Sequence, residues 1–275
     1  MLRLPNNLLL LYPFLTSSAV SAWIYTPSQG FGPAPEDHAA LFLQANQNPN
    51  ATASAPFQLS GQLYNLTVNV TELTPTGADT NITNPRVIST VYSLEWPGDS
   101  SLNATLEEAQ GGVPRLCATI PSSPFSASIT NGYIDAGDCS GALGEDCVNA
   151  LEASSYESSA GCSRPLQADD ECRSKWPNGG LATSSLTQGF LNMTNRGFYW
   201  RTSAIYSAGN DTLFNSETER LQMAVISGLK SSPVCLRISD NHVSPSDPST
   251  STASPSWKSA WPFWTAIIAC VLSLL

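Results

Sequence analysis

Six cysteines spread from Cys117 to Cys235 constrain this chain more than any other feature, because pairing them ties its middle to its last structured segment. The set is Cys117, Cys139, Cys147, Cys162, Cys172 and Cys235, and a seventh, Cys270, lies apart in an apolar C-terminal stretch. An even set in an oxidising compartment reads as three disulfides, with fifteen possible pairings. The pairing expected here is a nested clip, Cys139 with Cys172 and Cys147 with Cys162, leaving Cys117 for Cys235. A clip closing about 15 residues contributes roughly 3 kcal/mol in the chain-entropy model. Zinc is the rival use of clustered cysteines, and it is disfavoured by the secretory signals below and by the lack of histidine nearby.

Both ends carry addressing signals. Residues 1–22, MLRLPNNLLLLYPFLTSSAVSA, place Arg3 before an apolar run and then small residues. This is the layout of a signal peptide cut after Ala22, or after Ser21. At the other end WPFWTAIIACVLSLL, residues 261–275, reaches only about 22 Å as a helix, against a hydrocarbon core of about 30 Å. No Lys or Arg follows it to hold a cytoplasmic end. Upstream lies the Ser/Thr/Pro-rich segment 241–260. Small residues, polar spacer and apolar tail in that order match a glycosylphosphatidylinositol (GPI) attachment signal. Ser251 is the expected attachment residue, with Ala253 two positions on, and Ser249 is the alternative. The competing reading is a tail-anchored or single-span protein. Residues 23–240 are then the ectodomain.

Seven sequons support the same compartment: Asn50, Asn65, Asn69, Asn81, Asn103, Asn192 and Asn210 each stand two residues before Thr with no intervening Pro. A used sequon lies at the surface. The whole chain carries a net charge of −10, and losing Arg3 and Lys258 with the two ends takes it to −12. Such acidity excludes the basic footprint of a nucleic-acid binder.

Local patterns predict an α+β fold, mainly antiparallel β with about two helices. Tyr64, Leu66, Val68 and Val70 alternate with Asn65, Thr67 and Asn69, as in a half-buried strand that turns both sequon asparagines outward. RVISTVYSLEW (86–96), GFYWRTSAIYS (197–207) and PVCLRIS (233–239) are further strands. GEDCVNALEASSYES (144–158) reads as a helix with acidic residues in its first turn. SETERLQMAVISGL (216–229) reads as another, with Ser216 as N-cap and Glu219 completing a capping box. SRPLQADDECRSKWPNGG (163–180) reads as a loop.

Catalytic signals are sparse. The histidines are His38 and His242, and no G-x-S-x-G element accompanies them. A two-carboxylate glycosidase needs two acids about 5–9 Å apart across a cleft. Glu95 beside Trp96 is the best single candidate, and Asp135, Asp138 and Glu145 form a looser group. Asp169, Asp170 and Glu171 are adjacent and lack the spacing of a calcium loop, as are Glu107 and Glu108. No metal or cofactor is expected. Trp23, Tyr25 and Phe31, with Phe198, Tyr199 and Trp200, offer aromatic faces that stack on sugars or, as core, pack inside. Alternation predicts Phe198 and Trp200 on one side of their strand and Tyr199 on the other.

Signal segment, Asn/Ser/Thr-rich cysteine-stapled domain, STSTASPS stalk and short apolar tail together resemble the GPI-anchored surface glycoproteins of fungi. The chain lacks the eight-cysteine framework of the fungal CFEM haem-binding domain. The resemblance implies a cell-surface or cell-wall protein with a structural, adhesive or ligand-binding role. Its partners would be the membrane through a GPI lipid and cell-wall polysaccharide. A wall-remodelling glycosidase is the alternative.

Overall fold

A computed structural model describes residues 27–32, 39–75, 81–98, 116–134, 137–154, 170–177, 180–186 and 197–238, with Leu102, Thr105 and Cys162. The expected leader, stalk and tail lie outside the described residues. In chain order the elements begin with β1 (Gln29–Phe31), α1 (Ala39–Gln47), β2 (Ala51–Leu59), β3 (Gln62–Leu73), β4 (Pro85–Glu95) and β5 (Cys117–Pro121). Four short helices follow, α2 (Ala127–Thr130), α3 (Ser140–Leu143), α4 (Glu145–Ala153) and α5 (Asp170–Lys175). The chain then forms β6 (Leu181–Ser185), β7 (Gly197–Thr202), β8 (Tyr206–Ser207), α6 (Thr212–Glu219), β9 (Gln222–Ser227) and β10 (Ser231–Leu236). The fold is α+β and mainly antiparallel β, with three disulfides.

The β2–β3 hairpin shows how sequence sets register. Leu59 pairs with Gln62, so Ser60 and Gly61 alone make the turn, with φ of 52° and 80°. Positive φ at both positions matches the right-handed twist of the strands, and glycine adopts it without a Cβ penalty. From that turn Tyr64, Leu66, Val68 and Val70 enter the core, while Asn65, Thr67 and Asn69 face outward as expected.

A six-stranded sheet runs β1-β7-β4-β3-β2, with β8 also paired to β4, and a four-stranded sheet runs β10-β9-β5-β6. Their facing sides share one core, in which Leu66, Val68, Tyr92 and Leu94 meet Ala118, Ile120, Ile226, Val234 and Leu236. Each fully buried Leu, Ile or Val contributes about 1.5–3 kcal/mol. Two further layers cover the outer faces. Helix α1 sets Phe42 and Ala45 on Leu73, Val87, Val91 and Trp200 of the six-stranded sheet. Helices α2–α5 and the segments flanking α2 lay Phe125, Tyr133, Leu143, Val148 and Leu151 on Met223 and Val225 of the four-stranded sheet.

Three sequence expectations are corrected. The segment from Ser216 is not one helix: α6 begins at Thr212, ends at Glu219, and Gln222–Ser227 is strand β9. Ser216 is therefore mid-helix rather than an N-cap. The run Met223-Ala224-Val225-Ile226 alternates between two cores, Ala224 and Ile226 to the sandwich and Met223 and Val225 to the helices, and a strand satisfies both. Within the expected loop, residues 170–175 form α5.

The third correction is the disulfide pairing, which is Cys117–Cys162, Cys139–Cys235 and Cys147–Cys172. Cys117 on β5 and Cys235 on β10 flank β9. Their strands are two spacings apart, roughly 10 Å, and the two stand opposite different β9 residues, Ser227 and Met223, so they lie well beyond a disulfide's reach of about 7 Å. Cys235 instead meets Cys139 ahead of α3, and that leaves Cys147 on α4 to bond Cys172 on α5. The nested clip does not form.

Candidate functional site

Glu95 does not converge with Asp138 and Glu145, the other catalytic candidates within the described residues. Glu95 ends β4, is exposed, and its Oε2 lies 3.4 Å from the Asn65 Nδ2 that donates to it. Asp138 and Glu145 are exposed in the helical layer. Asp138 Oδ1 accepts the Ser140 N–H at 2.8 Å, which helps to start α3, and Glu145 stands in the first turn of α4. Glu95 belongs to the outer side of the six-stranded sheet, so the two sheets separate it from the other two. Asp135, Glu107, Glu108, Asp169 and both histidines lie outside the described residues. Among the described residues no group of three or more His, Cys, Asp or Glu is placed to hold a metal ion.

The aromatic block is core. Phe198 and Tyr199 are both fully buried in the sandwich, and Trp200 is buried under α1, 5.5 Å from the Phe42 ring. The expected alternation fails because the β4–β7 ladder slips between Tyr92 and Ser93, letting two consecutive rings enter one core. Phe31 packs edge-on to Tyr199 at 5.0 Å, while Trp23 and Tyr25 lie outside the described residues.

The best-built polar cluster was not anticipated. Arg201 of β7 points into the sandwich, where its side chain is 8% exposed, and forms an ion pair with Glu217 of α6. Arg201 Nε donates to Glu217 Oε1 at 2.9 Å, Nη1 to the Tyr92 hydroxyl at 3.2 Å, and Nη2 to Gln222 Oε1 at 2.5 Å. Thr90 Oγ1 donates to Glu217 Oε1 at 2.9 Å, and the Tyr92 hydroxyl donates to Gln222 Oε1 at 2.7 Å. Arg220 Nη1 lies 3.7 Å from Glu217 Oε2.

Burial alone would raise the Glu217 carboxyl, but Arg201 and Arg220 outweigh it and hold it below its ordinary value. Burial pulls the Arg201 guanidinium down, and the charge of Glu217 reverses that and leaves it raised. Burial, then repulsion from Arg201, lowers Arg220. Tyr199 is pushed up to about 12, chiefly by burial. The sequence held one usable signal for this cluster: Arg201 and Thr90 interrupt otherwise apolar strand faces, and a buried charge needs a partner.

Glu217 and Arg220 also floor an open cleft of about 560 Å³ between the Pro124–Thr130 segment and α6. Pro124, Phe125 and Ala127 make one wall, and Thr212, Asn215, Ser216 and Glu219 make the other. Glu217 is ionised and Oε1 is already filled by Arg201 and Thr90, so it is a poor proton donor and a poor nucleophile. What the cleft offers is hydrogen bonding from amide, hydroxyl and carboxylate groups facing an apolar wall.

Sequon asparagines in the described part occupy exposed or half-exposed positions: Asn81 and Asn210 are exposed, and Asn50, Asn65 and Asn69 are half-buried. Asn103 and Asn192 lie outside the described residues, as do Ser249 and Ser251. No protein-family model, no curated protein and no solved structure matches the chain.

Proposed function

We propose that this chain is an extracellular glycoprotein of the cell surface or cell wall, held by a GPI lipid, with a non-enzymatic structural, adhesive or ligand-binding role. The observation that carries the reading is the closed set of three disulfides. The six cysteines from Cys117 to Cys235 pair entirely among themselves, leaving Cys270 in the apolar tail outside the framework. Such a set belongs to an oxidising compartment, and losing the tail removes no bond from it. The exposed and half-exposed sequon asparagines add support, and so does the separation of Glu95 from Asp138 and Glu145. Cell-wall polysaccharide is the partner favoured by the α6 cleft, whose walls present polar groups and an apolar surface, as a sugar chain does.

Mass spectrometry of the mature C-terminus tests the anchor, with and without phospholipase treatment of intact cells. A terminal peptide ending at Ser251 or Ser249, carrying ethanolamine and released by the phospholipase, is the expected result. A terminal peptide that still holds Leu275 contradicts it. Release of reducing sugar from wall glucan by the purified protein would overturn the non-enzymatic role.

A further inference from the structure

The described sequons differ in what surrounds their amide nitrogen. Asn69 Nδ2 donates 2.7 Å to Asn46 Oδ1 and lies 3.4 Å from the Asn46 backbone oxygen, while Asn69 Oδ1 accepts from Thr52 at 2.7 Å. Asn46 is buried, 8% exposed, in the last turn of α1. The hydroxyl residue of the same sequon is engaged as well: buried Thr71 donates to the Ala45 oxygen at 3.0 Å. Asn69-Val70-Thr71 is thus the seam that fastens α1 to β3. A sugar attached at Asn69 Nδ2 replaces one of its two N–H groups and puts a ring where Asn46 sits.

At the other four described sites no buried side chain like that of Asn46 holds the amide nitrogen. Asn65 Nδ2 meets only the exposed Glu95 carboxylate, at 3.4 Å. Asn210 uses its Oδ1 to accept the Thr212 N–H, and Asn50 uses its Oδ1 to accept the Glu72 N–H. Asn81 stands exposed. Three of the four gather at one end of the six-stranded sheet. Glu72 binds both Asn50 and Tyr206, Pro85 pairs with Ser207, and Ala208 N–H donates to the Asn84 oxygen.

We infer that the sequons have two roles: Asn69 stays unmodified as the docking residue of α1, while N-glycans at Asn50, Asn81 and Asn210 collar one end of the six-stranded sheet and a fourth stands at Asn65. Oligosaccharyl transfer acts on the emerging chain, so selection falls on folding: chains glycosylated at Asn69 lose the α1 seam and are not exported. The inference rests on the extracellular reading above.

Site mapping on the native protein tests it, using enzymatic deglycosylation in oxygen-18-labelled water, which hydrolyses each glycosylated asparagine to an aspartate that keeps the heavy oxygen as a tag. Tags at Asn50, Asn65, Asn81 and Asn210 with Asn69 untagged are expected. A tag at Asn69 in folded material overturns the partition. Tags confined to Asn103 and Asn192 overturn the partition alone, whereas no tag at any of the seven sequons overturns the glycoprotein reading itself, so the two failures are distinguishable. A second measurement compares Asn69→Gln with Asn65→Gln after deglycosylation. The Tm of N69Q falls by roughly 2–4 °C or more for each kcal/mol lost, and that of N65Q is unchanged. Equal Tm values for the two variants would contradict the structural role of Asn69.

Discussion

In the six-stranded sheet every second residue of β3 from Tyr64 to Val70 enters the core, and β2 and β4 pair with it in unbroken register. In the layer of α2–α5 the helices are short, the longest having nine residues, and lengths of this kind are marginal alone. That layer is fastened instead by covalent links: Cys139–Cys235 bonds it to β10, and Cys147–Cys172 bonds α4 to α5. Apolar periodicity orders the first region, and cross-links between residues distant in sequence order the second. Loss of a disulfide is therefore a failure of the helical layer, and loss of a buried partner is a failure of the sandwich.

The largest effect is expected from removing Cys139–Cys235, which joins residues 96 apart in sequence. Replacing both cysteines by Ala costs about 4–5 kcal/mol in the chain-entropy model, read by urea unfolding. Amide exchange should quicken in α3 and α4 while β3 stays protected. Equal loss of protection in both would erase the distinction between the regions.

Arg201→Met comes next. It leaves Glu217 buried with Arg220 as its nearest remaining cation, at a cost of about 3 kcal/mol, and it should accelerate exchange in β7 and α6 rather than in α4. A variant as stable as the parent would show that the ion pair contributes nothing net.

Acid should probe the same pair more gently. Glu217 titrates below its ordinary value of 4.5 in the folded protein, so the unfolded chain binds more protons in that range. Its stabilisation is present above pH 4.5 and is lost as the pH falls through the lowered folded value. Glu217→Gln should be weaker at neutral pH and should flatten that part of the stability profile. A profile as steep as the parent's would assign the acid dependence to other carboxylates. At the alkaline end Tyr199, raised from 10.0 to about 12, stabilises the fold below pH 10 and loses that contribution as the pH climbs to 12.

The smallest effects belong to Asp138→Asn and Glu145→Gln, both exposed and both in the helical layer. Each should change stability by no more than about 0.5 kcal/mol and leave any activity on wall glucan unaltered. Loss of sugar release in either variant would revive a catalytic role for these carboxylates.

Strand periodicity made β3, β4 and β7 legible, along with the outward face of Asn65 and Asn69, because one buried face imprints a period of two. The helix at α4 was legible from its acidic first turn and apolar stripe. What periodicity misread was β9, where Met223 to Ile226 serve two cores and lose the polar alternation that separates a strand from a buried helix. Pairing of the cysteines was illegible for a related reason. It depends on strand order, and β10-β9-β5 places one strand between Cys117 and Cys235 with no trace in the local sequence. The Arg201–Glu217 pair was hidden likewise, since its members lie on β7 and α6, which meet only in the assembled sandwich. The engagement of Asn69 by α1 was illegible too, because it depends on where α1 docks.

Disulfide mapping of the native protein by non-reducing proteolysis and mass spectrometry bears most directly on this account. Linked peptides joining Cys117 to Cys162, Cys139 to Cys235 and Cys147 to Cys172, with no free thiol among the six, are the predicted result. Peptides joining Cys147 to Cys162 would contradict the pairing that cross-links the helical layer, and free thiols in that set would contradict the extracellular reading as well.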